Sequence, residues 1–285
     1  MQPRHVAAIA AVVGAVVLSC SGIIVRSMQD PDGLQIALFR ATALIPAVVT
    51  LYVLRHRKRV GAELRRAGRW PFIAGPFQGL ASLSFVLALT HTTVASAMVM
   101  LSATPLFAAL IGWAYLKERV DRTTVLAVCL CSTGVLIVLA AGLRGGTIVG
   151  DVFALTNSLV YAIFIVVLRR NRAVDMLPSL VVGACITVSI SLLLVPKIDL
   201  STHDLLLSLL WGGVIQGSAL TLLVFAARHL VAAELCLLTL LEFVLGPSWV
   251  WLLYGETPSA IVMAGGVLII STVALWCAVE WKKLR

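Results

Sequence analysis

Long apolar runs separated by short polar connections dominate this chain. Ten runs can be read, each about 20 residues long, and a helix of that length crosses about 30 Å of bilayer hydrocarbon. They cover residues 6–26, 33–54, 71–90, 93–116, 123–142, 150–168, 177–196, 205–227, 231–254 and 259–280. The connections are too short to hold a soluble domain. The pattern therefore predicts an all-α membrane protein with ten transmembrane helices.

A second pattern relates the two halves of the chain. Shifted by 138 residues, the segment 75–118 aligns with 213–256 without a gap, and ten of the 44 positions are identical. Four identical pairs carry residue types that are uncommon in apolar runs: Gln78/Gln216, His91/His229, Trp113/Trp251 and Glu118/Glu256. We therefore predict a tandem repeat with halves 1–145 and 146–285. Five spans per half would insert the second half upside down, and two inverted five-helix repeats around a central cavity are typical of secondary transporters.

Composition and charge agree with a membrane protein. Apolar and aromatic residues make up 60% of the chain and charged residues 12%, whereas soluble domains carry about a quarter charged residues. With a cytoplasmic N-terminus, 18 of the 22 Lys and Arg residues fall in segments predicted to be cytoplasmic and three in segments predicted to be outside. This asymmetry follows the positive-inside rule and predicts that both termini are cytoplasmic. It also accounts for the net charge of +9, so no binding of nucleic acid is expected.

Short motifs in the fourth and ninth spans resemble those of a known family. The fourth span carries ASA at 95–97, PLF at 105–107 and LKER at 116–119, and the ninth carries AAE at 232–234, LEF at 241–243 and YGETP at 254–258. Together with Phe39-Arg40 in the second span, these motifs resemble the EamA type of the drug/metabolite transporter superfamily. The resemblance implies a bacterial inner-membrane protein that moves small metabolites or drugs, usually outward. Two positions depart from the pattern: Lys117 stands where a Gly commonly precedes the Glu, and Phe243 stands where the first half has Pro105.

Ionisable residues deep inside apolar runs are the first candidates for a binding site, because a charge in hydrocarbon must face a cavity or a partner. Arg40 lies about eight residues into the second span. It is a candidate anchor for a substrate carboxylate, and the alternative is an ion pair or carbonyl contact that locks two helices. Glu242 lies about twelve residues into the ninth span. It is a candidate proton carrier or counter-charge to a substrate amine, and the alternative is a static partner of Arg40. Glu234, nearer the cytoplasmic end, is a second candidate for proton coupling.

Uncharged polar residues complete the predicted substrate site. Gln78 and Gln216 occupy equivalent places in the third and eighth spans, where their amides could bind substrate or join helices by hydrogen bonds. Asn157 and Tyr161 are four residues apart in the sixth span, so they share one helix face and could line a cavity.

The sequence predicts neither a cofactor nor a metal site, and the protein is not expected to be an enzyme. All six cysteines fall inside predicted spans, and neither an H-E-x-x-H motif nor a nucleotide-binding G-x-x-x-x-G-K-[ST] motif occurs. The expected partners are a small-molecule substrate, protons as a candidate coupling ion, and the lipid bilayer, with the chain acting as a monomer or homodimer.

These observations lead to one main functional prediction. The protein is expected to be a secondary transporter that exports a small metabolite, such as an amino acid or related zwitterion, by alternating access. Three alternatives stay open: a multidrug or toxic-compound exporter of the same family, an intramembrane enzyme that processes lipids or peptides, and a scaffold or sensor that transports nothing.

Overall fold

The structure is a computed structural model that describes residues 3–29, 32–92, 94–117, 121–142, 148–255 and 260–283. These residues form fourteen α-helices and no β-strand. In an apolar solvent the main chain must satisfy its own hydrogen bonds, and helices do so within a single segment. The predicted all-α class is therefore confirmed.

The helices form two series, one in each half of the chain. The first series is α1 Pro3–Leu18, α2 Ser21–Ser27, α3 Gly33–His56, α4 Val60–Ala67, α5 Trp70–His91, α6 Val94–Leu101, α7 Thr104–Ile111 and α8 Arg122–Gly142. The second series is α9 Ile148–Arg170, α10 Pro178–Leu194, α11 Thr202–Leu210, α12 Gly217–Ala227, α13 Ala232–Tyr254 and α14 Ala260–Lys283. A 3₁₀ turn covers Arg57–Arg59, and π-helical segments cover Gly112–Leu116 and Trp211–Gln216.

Several helical stretches are long and apolar enough to cross a membrane. Among the described residues, six meet both criteria by length and composition: Arg4–Ser27, Gly33–Ala67, Trp70–His91, Ile148–Arg170, Thr202–Ala227 and Glu234–Tyr254. Two shorter apolar helical stretches, Thr104–Leu116 and Pro178–Leu194, accompany them. The protein is thus a multi-pass membrane protein. The count of ten spans stays a prediction.

Three of the stretches predicted as single helices are interrupted. The first span is broken between α1 and α2 at Ser19–Cys20, and the fourth is broken between α6 and α7 just before Pro105. Proline lacks a backbone N–H and cannot continue the hydrogen-bond ladder of a helix, which explains the second break. The eighth span contains the π-helical segment Trp211–Gln216. The ninth, α13, runs unbroken through Phe243, the repeat equivalent of Pro105, and contains Pro247 instead.

The two halves of the chain pack against each other along most of their helices. α5 lies against α9 and α10, α3 against α10 and α11, α1 against α12 and α13, and α8 against α14. Each half therefore buries much of its apolar surface on the other half. The predicted boundary near residue 145, with its Gly145-Gly146 turn, lies outside the described residues.

Glycines permit the closest of these helix contacts. A Cβ at Gly79 of α5 would lie 2.6 Å from the carbonyl oxygen of Gly183 on α10, and a Cβ at Gly212 would overlap the carbonyl oxygen of Arg40 on α3. Small residues let helix backbones approach in this way in membrane proteins. The contact at Gly212 joins the π-helical segment to the part of α3 that carries Arg40.

Candidate functional site

A cavity of about 70 Å³ lies between the two halves of the chain. A buried water needs about 10–15 Å³ by this measure, so roughly five waters would fill it. Both halves contribute to its wall, which consists of Leu18, Ser21, Arg40, Gln78, Ala81, Ser82, Phe85, Thr104, Asn157, Tyr161, Trp211, Gln216, Leu220, Thr239 and Glu242. The six residues predicted to bind substrate all belong to this wall. Their positions far apart in the chain converge because α3, α5, α9, α13 and the π-helical segment Trp211–Gln216 surround one space.

Arg40 is held in the cavity wall by contacts with both halves. Its Nη2 donates hydrogen bonds to the backbone oxygen of Ser82 at 2.6 Å and to the Ser82 hydroxyl at 2.7 Å. Its guanidinium carbon lies 4.6 Å from the ring centroid of Trp211 and 5.8 Å from that of Phe85. The buried Nε has no hydrogen-bond partner among the described residues. The side chain is thus fixed by Ser82 and the aromatic rings, while its Nη1 takes part in no hydrogen bond there.

Glu242 supplies the opposite charge in the same wall. It lies in the middle of α13, its side chain is buried, and its carboxylate has no hydrogen-bond or ion-pair partner among the described residues. In particular, no carboxylate oxygen of Glu242 lies within 4 Å of an Arg40 nitrogen in the described structure. The cavity wall therefore contains one basic and one acidic side chain that do not form an ion pair with each other.

The paired glutamines border the same cavity. Gln78 and Gln216 are both buried, and the Oε1 atom of each lacks a hydrogen-bond partner within the described part of the chain. The Gln78 Oε1 packs against Gly183, where any Cβ would overlap it. Gln216 ends the π-helical segment that begins at Trp211. Both the binding and the helix-joining interpretations of these amides remain compatible with their positions.

Asn157 and Tyr161 line the cavity from one face of α9, as their spacing predicts. The Asn157 Nδ2 donates a hydrogen bond to the backbone oxygen of Ala81 at 2.6 Å, which ties α9 to α5. The Tyr161 ring packs beside Phe164 with a centroid separation of 5.9 Å. Asn157 is thus an anchor between helices as well as part of the wall.

Glu234, the other predicted candidate for proton coupling, lies outside the cavity wall. Its Oε1 accepts a hydrogen bond from Arg4 Nη2 at 2.7 Å, and its Oε2 lies 3.4 Å from the backbone nitrogen of Val231 at the start of α13. Glu234 therefore joins the beginnings of α1 and α13.

Sequence reasoning missed several residues of the cavity wall. Shifting Glu242 back by 138 residues gives Thr104, and shifting Ser82 forward gives Leu220, so these wall positions correspond in the self-alignment of the sequence. The self-alignment could have identified Thr104. It could not have identified Trp211, which precedes the aligned segment. Trp211 is fully buried, covers the Arg40 guanidinium and donates from Nε1 to the Ser21 hydroxyl at 3.0 Å.

Near each end of α3, an aspartate of the second half contacts a residue of the first half. At the α3 C-terminus, His56 Nε2 lies 2.9 Å from Asp175 Oδ2, and Arg55 lies 3.5 Å from the same oxygen. Beyond the α3 N-terminus, the backbone N–H of Gln29 donates to both carboxylate oxygens of Asp204 at 3.0 and 3.2 Å. Asp175 and Asp204 are both buried. Each end is thus held by an aspartate of the second half that contacts the first half.

The repeated histidines and tryptophans lie away from the cavity wall. His91 and His229 contact backbone oxygens of their own helices, Leu87 at 2.8 Å and Phe225 at 3.3 Å. Trp113 and Trp251 are exposed at the ends of their helical stretches. Glu118 and Glu256 lie outside the described residues. Within the described ranges, no group of three His, Cys, Asp or Glu residues could hold a metal ion.

Comparisons with known proteins show which family and which relatives the sequence resembles. Residues 5–140 match the profile of the EamA-like transporter family. The chain is 25% identical over 243 residues to the pseudopaline exporter CntI of Pseudomonas aeruginosa, an alignment that covers 83% of each protein. It is 23% identical over 177 residues to solute carrier family 35 member G1 of Mus musculus. That alignment covers 58% of this chain but only about half, 48%, of the mouse protein.

A solved crystal structure has the same fold. It superposes with a TM-score of 0.77 and 18% sequence identity, covering 97% of this chain and 98% of the other. The family profile covers the predicted first repeat, where Arg40, Gln78 and Pro105 lie, and the relatives extend the similarity into the second half. Residues 5–140 therefore carry an EamA-like transporter domain, as the motifs of the first half indicated.

Proposed function

We propose that the protein is a secondary transporter that exports a small zwitterionic metabolite, such as an amino acid or a related compound, by alternating access. The observation that carries this proposal is the cavity between the halves, in which Arg40 and Glu242 present opposite charges without pairing to each other. A buried charge without a partner is costly in a membrane protein. A substrate with a carboxylate and an amine would complement both charges at once.

The groups in the cavity wall suggest how such a substrate is held. The free Nη1 edge of Arg40 would donate to a carboxylate, since Ser82 occupies Nη2 and Trp211 covers the guanidinium face. Glu242 would accept from the amine or carry a proton in its place. Gln78, Gln216, Asn157 and Tyr161 would shape the remaining surface.

Packing between the helices supports the two inverted five-helix repeats that alternating access requires. Exchange of the halves pairs α1–α2 with α9, α3 with α10, α5 with α11–α12, and α6–α7 with α13. If the halves are equivalent, the observed α5–α9 contact should have a counterpart between α12 and α1. The α5–α10 contact should likewise have one between α11 and α3, and the α7–α9 contact one between α13 and α1. All three counterparts occur. The halves 1–145 and 146–285 would then rock about the cavity as paired units.

The closures at the two ends of α3 support the same mechanism. An alternating-access transporter opens one end while the other stays shut. The His56–Asp175 and Gln29–Asp204 contacts both join one half to the other, and both are formed here. Opening toward one side would break one of these contacts and leave the other in place. In this proposal, the structure with both contacts formed corresponds to a state held together at both ends of α3.

The relatives and the charge distribution support a direction of transport and a location. One relative is named an exporter, which supports outward transport. The excess of Lys and Arg in alternate connections supports cytoplasmic N- and C-termini and, by resemblance, a bacterial inner membrane. The substrate class and proton coupling rest on the cavity residues alone.

A ligand screen followed by transport assays tests the proposal. Purified protein is heated with a library of metabolites, because a ligand that binds only the folded state raises the unfolding temperature. We expect zwitterionic compounds to stabilise the protein. A response restricted to uncharged apolar compounds would favour the alternative of a toxic-compound exporter.

Variants of the two charged residues then link binding to transport. Arg40→Ala and Glu242→Gln should insert normally but lose transport of the stabilising compound in proteoliposomes. Arg40→Lys should be impaired as well, because an ammonium lacks the planar fork of the guanidinium. Transport at the wild-type rate in Arg40→Ala and Glu242→Gln would remove both residues from the site.

Proton coupling is tested by comparing Glu242 with Glu234, the other acidic residue on α13. Glu234→Gln makes the same substitution eight residues earlier, outside the cavity wall. If Glu242 carries the proton, an imposed pH gradient will no longer drive transport in Glu242→Gln, while Glu234→Gln keeps its response. The reverse result would assign coupling to Glu234.

A further inference from the structure

Two arginines are stacked around one tryptophan near the C-terminal end of α3. The guanidinium carbons of Arg69 and Arg170 lie 5.7 and 5.6 Å from the ring centroid of Trp70, and that of Arg170 also lies 4.6 Å from the ring of Tyr115. Arg69 precedes α5, Arg170 ends α9, and Tyr115 belongs to the π-helical segment after α7. Three separate segments thus bring these four side chains, here called the arginine–aromatic cluster, together.

Neither arginine of the cluster has an anionic partner. Within the described part of the chain, Arg69 and Arg170 form no ion pair and no side-chain hydrogen bond. Both touch the same ring, so their guanidinium carbons lie no more than about 11 Å apart. That upper limit is slightly longer than the screening length of about 8 Å at physiological ionic strength, so screening weakens the repulsion between their positive charges without removing it. The stacking holds them in place and leaves the N–H groups at the guanidinium edges free to donate.

The surroundings add further positive charge. Between residues 53 and 72 there are seven Lys and Arg residues and a single acid, Glu63, which pairs with Arg66 at 2.8 Å. The short helix α4 presents Val60, Leu64 and Ala67 along one stripe, and Ala67 is fully buried. A short helix with an apolar stripe and a basic face is typical of segments that lie along a membrane surface.

Neighbouring apolar residues indicate how deep the arginine–aromatic cluster would lie in a membrane. Phe72, two residues after Trp70 and thus about 3 Å further along α5, is 70% exposed, and Leu54 near the end of α3 is 65% exposed. Such side chains face acyl chains in a membrane. Trp and Tyr are enriched at the border between acyl chains and headgroups. This arrangement would place the guanidinium groups at the height of lipid phosphates.

We propose that the arginine–aromatic cluster binds the phosphate group of an anionic phospholipid, with Arg69 and Arg170 as its ligands and Trp70 holding both. Guanidinium forks match the oxygens of a phosphate, and an anion between the two arginines removes their repulsion. A zwitterionic lipid has the same phosphate but brings its own cation, so it binds more weakly. This site is distinct from the transport cavity and does not depend on the proposed substrate.

The test measures thermal unfolding of the full-length protein in mild detergent. Phosphatidylglycerol, phosphatidylcholine and inorganic phosphate are titrated separately. We expect phosphatidylglycerol to raise the unfolding temperature in a saturable way, phosphatidylcholine to do so less, and inorganic phosphate to have no comparable effect. Equal shifts with both lipids, or an equal shift with inorganic phosphate at matched concentration, would overturn the assignment to an anionic phospholipid.

Charge-matched variants locate the site. Arg69→Gln combined with Arg170→Gln should raise the half-saturating phosphatidylglycerol concentration by roughly ten-fold, because both ligands are lost. Arg57→Gln combined with Lys58→Gln removes two exposed charges of the same run that have no aromatic contact, and it should shift this concentration much less. Equal effects of the two pairs would mean diffuse attraction to a basic surface and would refute a built site.

Substitution of the tryptophan separates positioning from charge. Trp70→Phe keeps an aromatic face and should retain most of the lipid response, whereas Trp70→Ala should resemble the loss of both arginines. Each variant is first heated without lipid, so that any loss of intrinsic stability is measured separately from the lipid response. A full response in Trp70→Ala would show that the ring does not hold the arginines.

Discussion

Gly212 and Gly213 are adjacent, yet the structure predicts opposite consequences when each is replaced by alanine. At Gly212 the new Cβ would overlap the backbone carbonyl oxygen of Arg40, while at Gly213 its nearest neighbours would be the oxygen and Cβ of Ala43 at 3.6 and 3.7 Å. The first is an impossible contact with a backbone atom that cannot rotate away. The second is an ordinary van der Waals distance.

The expected magnitudes follow from two opposing effects. Alanine in place of glycine in a helix stabilises by about 1 kcal/mol, and forcing an extra methyl group into a packed interface costs about 1–3 kcal/mol. Because the clash at Gly212 is with backbone, the upper end applies, and Gly212→Ala should lose about 2 kcal/mol. Gly213→Ala meets no clash and should be neutral or gain up to about 1 kcal/mol. At about 2–4 °C per kcal/mol, the two variants should differ by roughly 5 °C or more in unfolding temperature.

The assay compares thermal unfolding of wild type and the two variants in the same detergent. Gly212→Ala should also weaken ligand binding, because separating the π-helical segment from α3 moves Trp211 off the Arg40 guanidinium. Gly213→Ala serves as the matched control for the loss of a glycine. Equal unfolding temperatures for the two variants would refute the close approach of Gly212 to Arg40.

Two further predictions concern backbone conformation and the closure between halves. Lys117 and its repeat equivalent Gly255 both have left-handed backbone angles, with φ of 53° and 68°. This conformation costs an L-residue about 1–2 kcal/mol. In thermal unfolding, Gly255→Ala should therefore be less stable than the wild type by about that amount, while Lys117→Gly should be equally stable or slightly more stable. The opposite order would contradict the assigned backbone conformation. For the closure, a double-mutant cycle of His56→Ala and Asp175→Asn should give a coupling of about 1 kcal/mol or more. Additive effects in that cycle would mean that the His56–Asp175 contact contributes nothing to the stability of the protein.

The location of the charged residues of the site could be predicted, because a charge within an apolar membrane span is stable in few environments. A guanidinium or carboxylate in the middle of a membrane span must face a cavity or a partner. That argument placed Arg40 and Glu242 toward the protein interior, and the structure brings both to one cavity wall. The same argument could not separate Glu242 from Glu234, whose ion pair with Arg4 spans 230 residues of sequence.

The departure at Lys117 shows how sequence and structure combine. The motif predicts a glycine before the acid, and the structure explains why, since the helix ends there in a left-handed conformation. Gly255 adopts it without strain and Lys117 does not. A mismatch with the family pattern thus identified a strained position, but only the backbone angles revealed its cause.

The sequence by itself determined the helical class and the membrane solvent, because an apolar chain must satisfy its backbone hydrogen bonds within helices. Its motifs also indicated the EamA-like domain that residues 5–140 match, because motifs are local. Only the tertiary structure decided that Ser82 and Trp211 hold Arg40 and that Asp175 and Asp204 join the second half to the first at the two ends of α3. The membrane spans are apolar on nearly all faces, so their periodicity carries little information about which face meets which helix. Those pairings depend on contacts across the two halves, which no local pattern in the chain specifies.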